Sequence, residues 1–142
     1  MLGLLLSLFT ASAFCQEVAK PKNFAEFPNT INCSVFEFHN AFTAREGQQV
    51  VLSFANNFRF AGTVLQNMAK YDNLQTMTIK SDQFENTIFH LSKQMLDGNT
   101  VSYVGRIISP NAADGFQIRK ENTGNYILEK TESNRVLQEC HL

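Results

Sequence analysis

Histidine and cysteine are the side chains best suited to act as bases, nucleophiles or metal ligands near neutral pH, and this chain has three of each. The histidines are His39, His90 and His141. None falls in an H-E-x-x-H frame, and none has a second histidine at helical spacing. His90 alternates with Phe89 and Leu91, which places it on the face of a strand opposite those two. His141 adjoins Cys140, a pairing that would suit a metal or an activated thiol, but its place beside the last residue gives neither role a rigid setting. There is no Gly-x-Ser-x-Gly elbow, no Gly-rich phosphate loop and no Cys-x-x-Cys pair. The acidic residues lack the repeated spacing of a calcium loop. Asp72, Asp82, Asp97 and Asp114 fall at turn positions, where Asp is favoured for local hydrogen bonding. The expectation is a non-catalytic protein with no cofactor and no metal.

The cysteines point to a compartment instead. Leu2 to Phe9 is an almost unbroken apolar run, followed by Ala11, Ser12 and Ala13. That layout predicts a signal peptide over residues 1–15, cut after Ala13 or after Cys15, and a secreted or periplasmic protein. The run is too short to span a bilayer, which takes roughly 20 apolar residues. Met1-Leu2-Gly3 has no basic residue, so a start further upstream stays open. Cys15 as a lipid-modified cysteine is an alternative, but Phe14 stands where a small residue is wanted. In an oxidising compartment Cys33 and Cys140, near the two ends of the domain, are a candidate disulfide. Closing a loop of roughly 100 residues is valued at about 4–5 kcal/mol on chain entropy. Asn32-Cys33-Ser34 also matches the N-glycosylation triplet.

Composition narrows the partners. The formal net charge is −1, and Lys and Arg are scattered singly. Without a basic stripe there is nothing to displace counterions from a phosphate backbone, so nucleic acid is not an expected partner. A polybasic membrane patch is lacking for the same reason. The chain is 44% hydrophobic with 13 Phe and no Trp, enough for a real core.

The elements follow from periodicity. Residues 16–30, with Pro21 and Pro28, read as a linker or extended segment whose only large apolar residues are Phe24 and Phe27. A single domain spans 31–142. Ser34-Val35-Phe36-Glu37 fits a capping box, and Val35, Phe38, Ala41 and Phe42 continue at helical spacing, so a helix is predicted over 35–45 with Gly47 as its stop; a strand is the competing reading, because Ile31, Cys33 and Val35 alternate. From Gln48 onward the pattern is β. Strands are expected at Val50 to Phe54, Phe58 to Val64, Gln75 to Lys80, Thr87 to Ser92, Val101 to Ile107, Phe116 to Ile118, and Tyr126 to Leu128. Asn56-Asn57, Tyr71-Asp72-Asn73, Asp97-Gly98-Asn99 and Asn122-Thr123-Gly124-Asn125 supply turns. Leu65 beside Val64 implies a bulge, or cover on both faces. The segment from Asn134 to Cys140 reads as a final short strand or helix. The fold class is mainly β: an antiparallel meander forming a partly closed barrel or two-layer sandwich, with one short N-terminal helix.

Gly62 and Gly105 stand in mid-strand in a shared pattern, aromatic-x-Gly-x-β-branched. Glycine there marks a bend or a close backbone approach; the functional alternative is a ligand packed over bare backbone. Phe36, Phe54, Phe58, Phe60, Phe84, Phe89 and Phe116 are expected in the core, with an apolar pocket in a barrel mouth as the sharper alternative. Phe60 to Val64, Thr76 to Ile79, Gly105 to Ile107 and Tyr126 to Leu128 together resemble the strands of secreted zinc metalloprotease prodomains. That resemblance implies a prodomain-like inhibitor module, although no zinc motif is present. The functional expectation is a secreted binding or accessory module with an unknown protein partner, no nucleic acid and no membrane span. A small-barrel carrier of a small apolar ligand is the alternative.

Overall fold

The computed structural model describes residues 19–132. It contains β1 (Thr30–Cys33), α1 (Val35–Ala41), β2 (Gln49–Ser53), β3 (Arg59–Tyr71), β4 (Leu74–Ser81), β5 (Ile88–Met95), β6 (Val101–Ile108), β7 (Asp114–Lys120) and β8 (Tyr126–Glu132). All the strands pair antiparallel in one sheet of order β1-β8-β7-β6-β5-β4-β3-β2. β2 to β8 form the meander, and β1 adds to the far edge beside β8. The sheet curls into a half-barrel, so the partly closed barrel holds and the two-layer sandwich does not.

The turns act as their residue types require. Asn56 and Asn57 both adopt left-handed backbone, φ 57° and 56°, which matches the twist of a tight hairpin. Phe54 N–H then reaches Phe58 C=O at 2.8 Å. At the β5–β6 turn Gly98 and Asn99 take φ 76° and 60°. The β3–β4 register shifts between Val64 and Gln66, so Leu65 is the bulge, and it is exposed.

Three strand glycines let the sheet curl. A Cβ on Gly62 would collide with the Lys80 carbonyl, and one on Gly115 with the Ile107 carbonyl. On Gly105 it would lie 2.6 Å from the His90 carbonyl oxygen and 3.0 Å from Ile118 Cδ1. These are close approaches of backbone to backbone, the structural role expected of mid-strand glycine. Gly115 belongs with the two that sequence singled out.

The sheet's two edges, β1 and β2, meet at one end. Ala55 N–H donates to Asn32 C=O at 3.2 Å, and α1 lies between the edges. Ser34 caps the helix, its hydroxyl accepting from Phe36 N–H at 3.2 Å. The other half of the expected capping box does not form. Glu37 instead accepts from Ser53 N–H at 2.8 Å, satisfying a donor on the edge of β2. The helix ends at Ala41 rather than near Arg45, because Asn67 on β3 takes the carbonyls of Phe42 and Ala44 at 3.0 and 2.7 Å. Gly47 is not the stop; its N–H pairs with Val64 C=O at 2.8 Å and leads into β2.

Phe38, Ala41 and Phe42 close one mouth of the half-barrel, over Tyr103 and Tyr126. The other mouth is closed by residues 21–29. The linker reading fails here. Phe24 is fully buried, with ring centroids 4.8 Å from Phe84, 5.2 Å from Phe116 and 6.1 Å from Phe58. Asn23 and Phe24 donate their N–H groups to the Asp114 carboxylate at 2.7 and 3.0 Å. Ala113 N–H bonds Pro21 C=O, Lys130 N–H bonds Asn29 C=O, and the Lys130 ammonium bonds Phe27 C=O. The segment is a strap docked by specific polar contacts. The core between the mouths is filled by Phe58, Phe60, Phe89, Phe116, Met77, Ile79, Leu91 and Ile107, each nearly or fully inaccessible. Phe36, expected in that core, sits on the outer side of α1 and is 65% exposed.

Candidate functional site

Side chains alternate inward and outward along each strand. Tyr103, Gly105 and Ile107 of β6 face the core side, so Val104, Arg106 and Ile108 face out. Register then sets one cross-strand row on the outer surface: Thr78, His90, Arg106, Gln117 and Glu129, each directly opposite the next. No sequence pattern shows this row, because its members come from five strands.

The ladder is weakest beside this row, between β6 and β7. β6 pairs with β5 along its whole length. With β7 it shares only Arg106 opposite Gln117 and Ile107 opposite Phe116. Toward the start of β6 the two strands part. Tyr103 N–H is satisfied there by a side chain, the Tyr126 hydroxyl at 3.1 Å. The parting leaves an open groove of about 490 Å³ on the outer face of β5, β6 and β7. Gly105 and Ile118 form its floor, Val104 and Ile108 its apolar walls. His90, Ser92, Arg106 and Gln117 supply its polar groups.

The electrostatics of the groove are one-sided. Among the described residues no Asp or Glu lines it. The Arg106 guanidinium makes no ion pair or side-chain hydrogen bond among the described residues. Glu129, the carboxylate of the same row, is held by Arg119 at 3.2 Å. His90 Nδ1 lies 3.2 Å from Thr78 Oγ1, which fixes the ring's orientation and leaves Nε2 unengaged. Such a surface can bind and orient a ligand.

No protein-family model, curated protein or solved structure matches this chain. The site therefore rests on its own geometry. Among the described residues no group of three or more His, Cys, Asp and Glu side chains is arranged to hold a metal ion. No helix among them is long and apolar enough to cross a membrane.

The residues singled out from sequence are not brought together. His39 is exposed on α1 and is not a member of the outer row. His141, Cys140 and residues 1–15 lie outside the described residues. Cys33 ends β1 on the face shared with Ile31, its thiol 3.5 Å from the Ile31 carbonyl. Burial pushes that thiol up to about 12, against a smaller lowering by a Leu128 backbone hydrogen bond, so it is a neutral, unreactive group at physiological pH. No disulfide joins described residues. Asn32 is exposed on β1. Gly62 lies under the β2–β3–β4 crossing, whereas Gly105 is both a close-approach glycine and the groove floor. Asp114 does not serve a local turn: it is 1% exposed and binds the strap 90 residues away. Asp82 likewise reaches out, to Gln49 and Thr63 at 3.3 and 3.4 Å. The residue that sequence reasoning missed altogether is Arg106. Its place between Val104 and Ile108 was visible, but its lack of a partner depends on the fold.

Proposed function

We propose that this protein is an exported, non-catalytic binding module of an envelope or extracellular assembly, and that it engages a protein partner through the outer groove over β5 to β7. The observation that carries this reading is the parting of β6 from β7. It creates a concavity of a size that binding sites commonly have. Val104 and Ile108 are 59% and 44% exposed there, beside a cation with no ion-pair partner among the described residues. Exposed apolar groups rimmed by polar ones are the usual composition of a contact surface. The half-barrel interior favours the outside as well. Phe24 of the strap and Phe38 of α1 already occupy the two mouths through which an apolar ligand would enter.

The test is an apolar-to-charged scan. Val104→Asp and Ile108→Asp change solvent-facing side chains and should leave the melting temperature close to wild type. Both should abolish co-purification of the partner from the host's exported fraction. Phe36→Asp and Tyr71→Asp, at exposed apolar positions away from the groove, should retain it. Loss of the partner in Phe36→Asp or Tyr71→Asp, with retention in both groove variants, overturns the assignment.

A further inference from the structure

We infer that the groove receives an extended acidic segment, a peptide stretch of pattern apolar-x-Glu-x-apolar whose carboxylate meets Arg106. This deepens the proposed function and rests on it. The first argument is charge. Arg106 projects from the outer face of β6 with no counterion among the described residues, and none of those that line the groove is acidic. Hydrogen-bond donors flank it on both sides. His90 stands opposite on β5 and Gln117 opposite on β7. The one carboxylate in the row, Glu129, is turned to Arg119. A guanidinium is a planar fork matched to a carboxylate, so the exposed cation that lines this groove suits an acid.

The second argument is spacing. Val104, Arg106 and Ile108 alternate along one strand, so their Cβ atoms are separated by roughly 7 Å. Same-face side chains of an extended peptide repeat at that interval. A segment laid along β6 thus sets an acidic residue over Arg106 and an apolar residue over each of Val104 and Ile108. A single cation between two apolar walls does not suit a polyanion, which needs several cations at phosphate spacing.

The experiment is a titration of ¹⁵N-labelled protein, followed by amide chemical shifts, with three blocked pentapeptides: Val-Thr-Glu-Thr-Val, Val-Thr-Gln-Thr-Val and Ser-Thr-Glu-Thr-Ser, each taken to about 10 mM to capture weak binding. The Glu peptide should give saturable shifts at Gly105, Arg106 and Gln117. The Gln peptide should bind about fivefold more weakly, as expected for loss of a partly screened ion pair, and the Ser-flanked peptide more weakly again. Arg106→Gln should erase the difference between the Glu and Gln peptides, and Arg106→Lys should restore part of it. Groove shifts of equal affinity for the Glu and Gln peptides overturn the acidic ligand while leaving the groove as the contact site. Shifts confined to other surfaces, or none with any peptide, overturn both.

Discussion

Removing the Asp114 carboxylate should release the strap. In Asp114→Ala two backbone donors, Asn23 N–H and Phe24 N–H, lose acceptors that stand at 2.7 and 3.0 Å, and the second of these donors is buried. Each hydrogen bond to a charged group contributes about 1.5–3 kcal/mol, so the direct loss of the two is about 3–6 kcal/mol. The chain can escape part of that cost by lifting residues 21–29 into water. Lifting exposes Phe24, whose burial is worth about 2–3 kcal/mol, so escape lowers the loss little. Asp114→Asn keeps one acceptor oxygen and should lose about 1–2 kcal/mol. Urea denaturation followed by circular dichroism measures the loss. Limited trypsin digestion locates it, because the Lys22–Asn23 bond becomes accessible only when the strap lifts. Phe24→Ala should reproduce the fast cleavage and cost about 3–5 kcal/mol. An Asp114→Ala protein with an unchanged urea midpoint refutes the reasoning. So does a large loss of stability in which Lys22–Asn23 stays as resistant as in wild type.

Gly62→Val and Gly105→Val should each destabilise by on the order of 1–3 kcal/mol through overpacking, since their Cβ atoms meet the Lys80 and His90 carbonyls; unchanged thermal melts for both would remove the curl argument. In the reduced, native protein Cys33 should be alkylated by iodoacetamide at pH 8 far more slowly than after denaturation, as its raised pKa requires. The sign of the linkage follows: ionisation is easier in the unfolded chain, so this thiol's contribution is fully present below pH 9.0 and declines as pH rises toward about 12. Comparison of wild type with Cys33→Ser across that range isolates the effect, and parallel pH profiles would contradict it. Expressed in its host, the protein should appear outside the cytoplasm without its first 13–15 residues or so; an intact Met1 in a cytosolic pool, found by mass spectrometry, would overturn export.

The meander was legible because its signals are local. Alternation in Gln75 to Lys80 and in Thr87 to Ser92, paired asparagines at 56 and 57, and Leu65 next to Val64 each mark a strand, a turn or a bulge within a few residues. What was not legible depends on partners distant in sequence. β1 has four residues and exists because it pairs with β8. The alternation of Ile31, Cys33 and Val35 offered a strand as a rival to the helix, and the chain forms both: the strand stops at Cys33 and Ser34 caps the helix that follows. The strap looked like a linker because Pro21, Pro28 and mixed charges are linker composition. The carboxylate and the Phe58, Phe84 and Phe116 rings that dock it lie far along the chain. Phe36 was placed in the core by residue type alone, whereas the helical spacing of Phe38, Ala41 and Phe42 already set Phe38 on the buried face and Phe36 off it. The groove was invisible because it arises from pairing that stops: Arg106 and Gln117 are opposite, and the strands separate immediately beyond them. Sequence marked Gly105, which forms the floor, but gave no reason to connect it with Arg106.

The proposal stands or falls on what touches Val104. A photoreactive benzoylphenylalanine placed there, in the exported protein in its own host, reports the contact directly; Phe36 and Tyr71 substituted in the same way serve as comparators. The account predicts one discrete protein adduct from Val104, lost in an Arg106→Glu background. Mass spectrometry should map it to a segment with an acidic residue between apolar neighbours. Adducts from Phe36 or Tyr71 and none from Val104 would contradict it.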